Sequence, residues 1–406
     1  MIKTIEGGVT AAKGFRACGV HAGVKTNNPD KKDLALIVSD CEAAAAAVYT
    51  RNRVKAAPIY TTMEHLEDGC ATAVVVNSGN ANACAPHGAE HAKTMCRAAA
   101  QATGLRETDF IVASTGVIGQ ELNIDAIVSA MPQAAAALCA QGSDDAAHAI
   151  MTTDTRKKEV AVAFELGGKE VHLGAISKGS GMIHPNMGTT LSFLTTDCAI
   201  TPELLHEALV EKVNVSLNRV SIDGDTSTND MCCILANGMA ENPLIDWKNE
   251  DYDAFCQALE QVLVQVARSI AADGEGASRL ITCHVAGARN EEAAERLAKE
   301  VICSNLVKTA LFGADANWGR VLCAMGYSKA PFRPEYVDIR FCSKGGEILV
   351  CHQGAGVDFD EDMAKQVLSQ DEVVIEIDLH EGGHDCTCWG CDLTYDYVKI
   401  NGDYRT

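Results

Sequence analysis

Apolar positions along this chain fall into short unbroken runs, alternating runs and longer alanine-rich stretches. "DLALIVSD" and "TAVVVNSGN" are unbroken runs bounded by polar residues, the pattern of buried strands. "DFIVASTGVIG" is a strand that runs into a turn. "EVAVAFELGGKEVHLGAISKG" is two alternating runs joined by Gly167-Gly168, which predicts a hairpin. "FCSKGGEILV" repeats the device at Gly345-Gly346, and "DEVVIEIDL" predicts a late strand. The stretch "KGSGMIHPNMGTTLSFLTTDCAI", residues 178–200, opens as a glycine-broken loop and ends as an apolar strand. The alanine-rich segments 83–102 and 124–139 predict helices. Further helices are predicted over 202–217, with Thr201 as N-cap, and over 251–272 and 291–310.

Helices and strands mix without strict βαβ alternation, and hairpins are present. The pattern predicts an α+β fold rather than a doubly wound parallel sheet. No Pro-, Ser- or Gly-rich linker divides the 406 residues, and no short repeat is visible. A chain of this length can bury a sizeable core, as two or three domains or one intertwined unit.

Charge narrows the partners. The formal net charge is −21, with the acidic residues scattered rather than run together. Such a surface repels phosphate backbones and anionic lipid, so neither nucleic acid nor membrane is expected as a partner. The N-terminal stretch "MIKTIEGGVTAAKGF" lacks an apolar signal-like core, and no apolar run is long enough to span a bilayer. The expectation is a cytoplasmic protein whose 18 cysteines are reduced. Cys232, Cys233, Cys283 and Cys323 lie in apolar sequence surroundings and are read as small packing hydrophobes.

Five polar, glycine-containing stretches stand out: "NSGNANA", "STGVIG", "KGSGMIHPNMGTT", "SIDGDTSTND" and "ADGEGAS". Each alone reads as a turn; together they point to one shared polar site. Familiar templates do not fit. "KGSG" lacks P-loop spacing, and GxSxG is absent. In "HDCTCWGC", His384, Cys386, Cys388 and Cys391 are crowded into eight residues. Cys386 and Cys388 would share one side of any strand, so they are read as packing cysteines and no metal is expected. Hydroxyl nucleophiles remain. Thr189 follows Gly188, which has no Cβ to hinder approach to its carbonyl. Attack by the hydroxyl on that carbonyl makes an ester, and hydrolysis frees a threonine with its own amine beside its nucleophile. The plain alternative is that Thr189-Thr190 simply starts a strand.

Nearly the whole length resembles the ArgJ family, the ornithine acetyltransferases (glutamate N-acetyltransferases) of arginine biosynthesis. The resemblance runs in order through "GVTAAKGFRACGVHAGVK", "KKDLALIVSD", "NRVKAAPI", "VVVNSGNANAC", "STGVIG" and "MTTDT". It continues through "KGSGMIHPNMGTTLSFLTTD", "SIDGDTSTND", "ADGEGAS", "GADANWGR" and "WGCDLTYDYVKINGDYRT". It implies a four-layer α/β/β/α fold, self-cleaved at Gly188–Thr189 into an α chain (1–188) and a β chain (189–406) that stay interleaved. It implies that Thr189 takes an acetyl group from N-acetylornithine and passes it to glutamate, in a ping-pong exchange. Thr115 and Gly116 match the oxyanion pair of the family. Thr152, Lys178, Glu275, Asn401 and Thr406 match its substrate-binding positions. No cofactor is implied, although some members also accept acetyl-CoA as donor and no residue here selects between the two behaviours. Assemblies of two α and two β chains are the family pattern.

The bland readings are a solvated turn lysine at Lys178, a helix-end glutamate at Glu275 and a turn cap at Asn401. The sequence departs from the family at Gly188, where alanine is usual, and at His184, to which no role is assigned. Two other functions compete. One is a self-processed amidase or aminopeptidase that hydrolyses its acyl-enzyme. The other is a binding protein that has lost catalysis, whose chain would stay uncut.

Overall fold

The computed structural model describes residues 1–24, 31–184 and 190–403. Gly188, Thr189 and Thr406 lie outside the described residues. The fold is mixed α+β, built on two sheets.

The larger sheet has nine strands. Its order is Lys3–Ile5, Lys158–Leu166, Lys169–Lys178, Leu191–Thr196, Met231–Ala236, Leu34–Tyr49, Cys70–Asn77 and Phe110–Ser114, with Phe15–Val20 also paired to Leu34–Tyr49. Two strands from beyond residue 189 are thus inserted among strands from before it. Leu191–Thr196 runs antiparallel to Lys169–Lys178 and parallel to Met231–Ala236. The 16-residue strand Leu34–Tyr49 contains "EAAAAAVY", a composition that favours helix. Tertiary pairing decides otherwise. Cys233 and Ile234 face Ala47 and Ala46, and the small alanines leave room for larger neighbours. The pairing with Cys70–Asn77 shifts register between Val38 and Ala43.

Helices cover this sheet in three patches. Gly88–Thr103 and Ile124–Ala137 pack on Leu34, Leu36 and Val75. Ser143–Ile150 packs on Ala35, Ile37 and Val74. Pro202–Asn214 and Glu250–Ala272 pack on Val162, Leu173, Leu194 and Ile234. The smaller sheet has seven strands, in the order Ala355–Gly356, Gly346–His352, Asp338–Ser343, Glu372–Asp378, Leu280–Ala288, His384–Cys391 and Val220–Ser221. Glu291–Cys303, Trp318–Tyr327 and Glu361–Leu368 bury Ile281, Cys283, Val373 and Ile375 of this sheet. Glu250–Ala272 joins the two sheets, because its cluster also includes Leu280, Trp389 and Cys391.

Several predicted boundaries move. The first alanine-rich helix starts at Gly88, since 80–87 is loop. The helix after Thr201 ends at Asn214, and the Thr201 side chain makes no capping bond. The single helix predicted over 291–310 is two, Glu291–Cys303 and Asn305–Phe312. Ser304 breaks it by capping the second, accepting from Val307 N at 3.4 Å. The second hairpin turns at Lys344-Gly345, one residue earlier than predicted. Cys232, Cys233 and Cys283 are buried as expected, but Cys323 is exposed on its helix. Cys386 and Cys388 both point into the core of the smaller sheet. Among the described residues, no helix is long and apolar enough to cross a membrane.

Candidate active site

All five polar stretches meet at one cleft. Ala81, Thr115, Gly116, Ile118, Lys178, Gly181, Met182, Ser227, Thr228, Asn229 and Glu275 line it, joined by Thr152, Thr153 and Asn401. The cleft encloses about 630 Å³ of space open to solvent. Thr115, Gly116, Thr152, Lys178, Glu275 and Asn401 are the predicted site residues that the structure describes, and all six line it.

Asparagines in "NSGNANA" build the loop that carries Thr115 and Gly116. Asn77 Nδ2 donates to Ser114 Oγ at 2.7 Å, while Asn77 Oδ1 accepts from Gly79 N and Asn80 N, each at 3.1 Å. Asn80 bridges to both Thr115 and Val117. Gly116 has φ +136°, and a Cβ there would sit 2.8 Å from Asn80 N and from the Gly79 carbonyl carbon. Only glycine lets these two loops close on each other.

Lys178 ends a strand and lies opposite Leu191 in the register. The strand that begins just after Thr189-Thr190 therefore starts at the cleft. Lys178 Nζ donates to Thr115 Oγ1 at 3.3 Å. Burial lowers the Lys178 pKa, against the opposing pull of Asp154 and Asp230. Thr190 itself is buried, and its hydroxyl shares a hydrogen bond with Ser192 Oγ at 2.7 Å.

A buried ion network lies beneath. Lys158 Nζ bonds Asp154 Oδ1 at 2.6 Å and Asp273 Oδ2 at 2.7 Å, all three groups being nearly inaccessible. Asp154 also accepts from Thr152 N at 3.0 Å and Gly179 N at 2.8 Å. Burial works to raise the Asp154 pKa, but Lys178 and Lys158 outweigh it and hold it at about 2. Asp273 accepts from Thr155 N at 3.1 Å, and two residues on is Glu275. Glu275 Oε2 accepts from Asn401 Nδ2 at 2.8 Å, and its carboxylate packs so close to Gly181 that a side chain there would overlap it. The network thus fixes Thr152, Lys178 and Glu275 relative to one another.

The cleft has the order of polar stretches that the sequence motifs carry, and comparison with known proteins decides the lineage. Residues 16–406 match the ArgJ family. This chain belongs to the ArgJ family. It is 52% identical to the arginine biosynthesis bifunctional protein ArgJ of Symbiobacterium thermophilum over 403 residues, 99% of each chain. It is 49% identical to the same-named protein of Caldanaerobacter subterraneus subsp. tengcongensis over 406 residues, 100% of each. The solved arginine biosynthesis bifunctional protein ArgJ of Bacillus halodurans is 44% identical, with a TM-score of 0.50. There, 52% of this chain covers 98% of that one.

In this ArgJ-family chain, sequence reasoning missed Asn77, Asn80, Asp154, Lys158, Asn229 and Asp273. Asn229 lines the cleft, and the others lie behind it, bonded to loops that carry the lining residues. For Asn77, Asn80, Asn229 and Asp273 the signal was the density of Asn and Asp in the polar stretches; Asp154 and Lys158 lie outside those stretches. His184 sits beside the cleft, with Nδ1 3.1 Å from Ser221 Oγ and its carbonyl accepting from Thr226 Oγ1 at 2.8 Å. Burial lowers its pKa to about 4, so it is neutral at pH 7. Among the described residues, no group of three or more His, Cys, Asp or Glu is arranged to hold a metal ion.

Proposed function

We propose that this protein transfers an acetyl group from N2-acetylornithine to glutamate through an acetyl-threonine enzyme. The observation that carries the reading is the convergence of Thr115, Gly116, Thr152, Lys178, Glu275 and Asn401 on one cleft, at the start of the strand that follows Thr189. In this reading Thr189 attacks the acetyl carbonyl. The Thr115 hydroxyl and the Gly116 N–H receive the developing oxyanion, a role in which one donor is worth roughly a hundredfold or more. Ornithine leaves, glutamate enters, and its amine takes the acetyl group. Lys178 holds a substrate carboxylate and Glu275, steadied by Asn401, the ornithine ammonium; Thr406 closes the site.

The same reading includes self-cleavage at Gly188–Thr189 into α and β chains, within a four-layer α/β/β/α fold. Thr190 is a poor candidate for the nucleophile because it is buried and bonded to Ser192. Strands from both sides of residue 189 share the larger sheet, which would hold cut chains together. The solved Bacillus halodurans chain matches about half of this one over 98% of its own length, in keeping with an enzyme of two polypeptides. Assembly as two α and two β chains predicts a particle of twice the 43.0 kDa chain mass by light scattering. The relatives' description as bifunctional supports a second activity, for which acetyl-CoA is the donor we propose.

The test is ornithine release with and without glutamate. Transfer predicts that glutamate accelerates release and gains the acetyl group. Release of free acetate at an unchanged rate would favour the hydrolase reading and overturn this one.

A further inference from the structure

Asn229 does something the motifs do not assign. It is buried, and its Nδ2 donates to the carbonyls of Ala81 at 2.6 Å and Ser114 at 2.7 Å. Two carbonyl acceptors fix the amide's orientation, because only the NH₂ end can serve both. Its Oδ1 accepts from Thr228 Oγ1 at 2.5 Å, so both ends of the amide are engaged. The two carbonyls belong to two loops already zipped together, with Ala81 N donating to Val117 O at 2.9 Å. Ser114 directly precedes the Thr115-Gly116 pair.

The backbone around Asn229 is equally constrained. Ala56 N donates to Thr228 O, and Thr50 N to Asp230 O, each at 2.9 Å. Two residues on, Met231 N donates to Thr190 O at 2.8 Å. A short rigid path therefore runs from the carbonyl of Thr190, through Met231, Asp230 and Asn229, to the carbonyl of Ser114. One end is the residue after Thr189; the other adjoins the oxyanion donors.

We infer that Asn229 is a positioning residue that sets the distance between the strand Leu191–Thr196, which follows Thr189, and the Thr115–Gly116 donors. The inference rests on the acetyl-threonine reading above. Its amide spans the two halves of the chain, so the donors from residues before 188 are aligned by a bond supplied from beyond 189. An error of about 1 Å in such an alignment costs roughly a hundredfold in rate. Asn229 lines the cleft, but both ends of its amide are engaged by protein groups, and Thr152, Lys178 and Glu275 are held from the separate network around Lys158.

The experiment is steady-state kinetics of the full protein carrying Asn229→Ala, scored on material whose circular dichroism matches wild type. Asn229→Ser, whose short hydroxyl cannot serve two carbonyls, stands in if the alanine variant does not fold. The expected result is a kcat about a hundredfold lower, with KM for N-acetylornithine within about twofold. Combined with Thr115→Ala, the loss falls well short of the product of the two single losses, because both act on one oxyanion site. A raised KM with unchanged kcat, or losses that multiply, overturns the inference. Single-turnover acetylation separates it from the reading it rests on. Wild type that forms no acetyl-Thr189 refutes the reaction; wild type and Asn229→Ala acetylating at equal rates refutes only the role of Asn229.

Discussion

Gly116 shows how tightly single residues bind this site. Its positive φ and the Gly79–Asn80 backbone leave no room for a methyl group. Gly116→Ala forces the loop to move or strains the backbone by roughly 1–3 kcal/mol. The expected outcome is a loss of kcat of about a hundredfold or more together with a lower thermal midpoint, read by kinetics and calorimetry. Asp154 yields a pH prediction. Its folded pKa of about 2 lies below the ordinary carboxylate value near 4. Its contribution, on the order of 2 kcal/mol, is complete above pH 4 and disappears as pH falls through 2. Asp154→Asn therefore destabilises the protein at pH 7, and the gap from wild type narrows between pH 4 and pH 2 in denaturant titrations. A constant gap across that range would contradict the assignment. At this scale the sequence was readable where a residue matches a role that the family resemblance carries. The family resemblance named Thr115, Lys178 and Glu275, and the structure brings all three to one cleft. Asn229 and Asp154 were not named, because Asn and Asp in polar segments look the same whether they cap a turn or brace a catalytic loop.

Among elements, the buried Lys158 network ties a hairpin strand, the loop at Thr152 and the end of the longest described helix. Lys158→Met leaves Asp273 buried without its bonded cation and Asp154 with only the field of Lys178. Removing one partner of a buried pair typically costs about 3–5 kcal/mol. The expected outcome is a loss of that order in urea unfolding and a raised KM, since Thr152, Lys178 and Glu275 lose their common reference. Unchanged KM in the folded variant would detach the network from substrate binding. The strands with unbroken or alternating patterns were legible, as was the helix over 250–272. The alanine strand at 42–49 was not, because what makes it a strand is its neighbours Cys70–Asn77 and Met231–Ala236, far away in sequence. Ser304 hid in the same way. A serine in a helical run reads as tolerated until the capping bond to Val307 is seen.

The whole molecule depends on one sheet shared by both sides of residue 189. If the chain is cut there, neither part retains a complete sheet. The cut enzyme is expected to unfold in one cooperative transition, with both polypeptides leaving a sizing column together. Two separated transitions would contradict that interdependence. The central claim is that cleavage frees Thr189 and that Thr189 carries the acetyl group. Mass spectrometry of the purified protein tests it most directly, with and without N-acetylornithine. The account predicts two polypeptides, of 188 and 406 − 188 = 218 residues. It also predicts a gain of about 42 mass units on the N-terminal threonine of the second during turnover, the acyl-enzyme of a covalent mechanism. A single full-length chain, or turnover without that adduct, would contradict it.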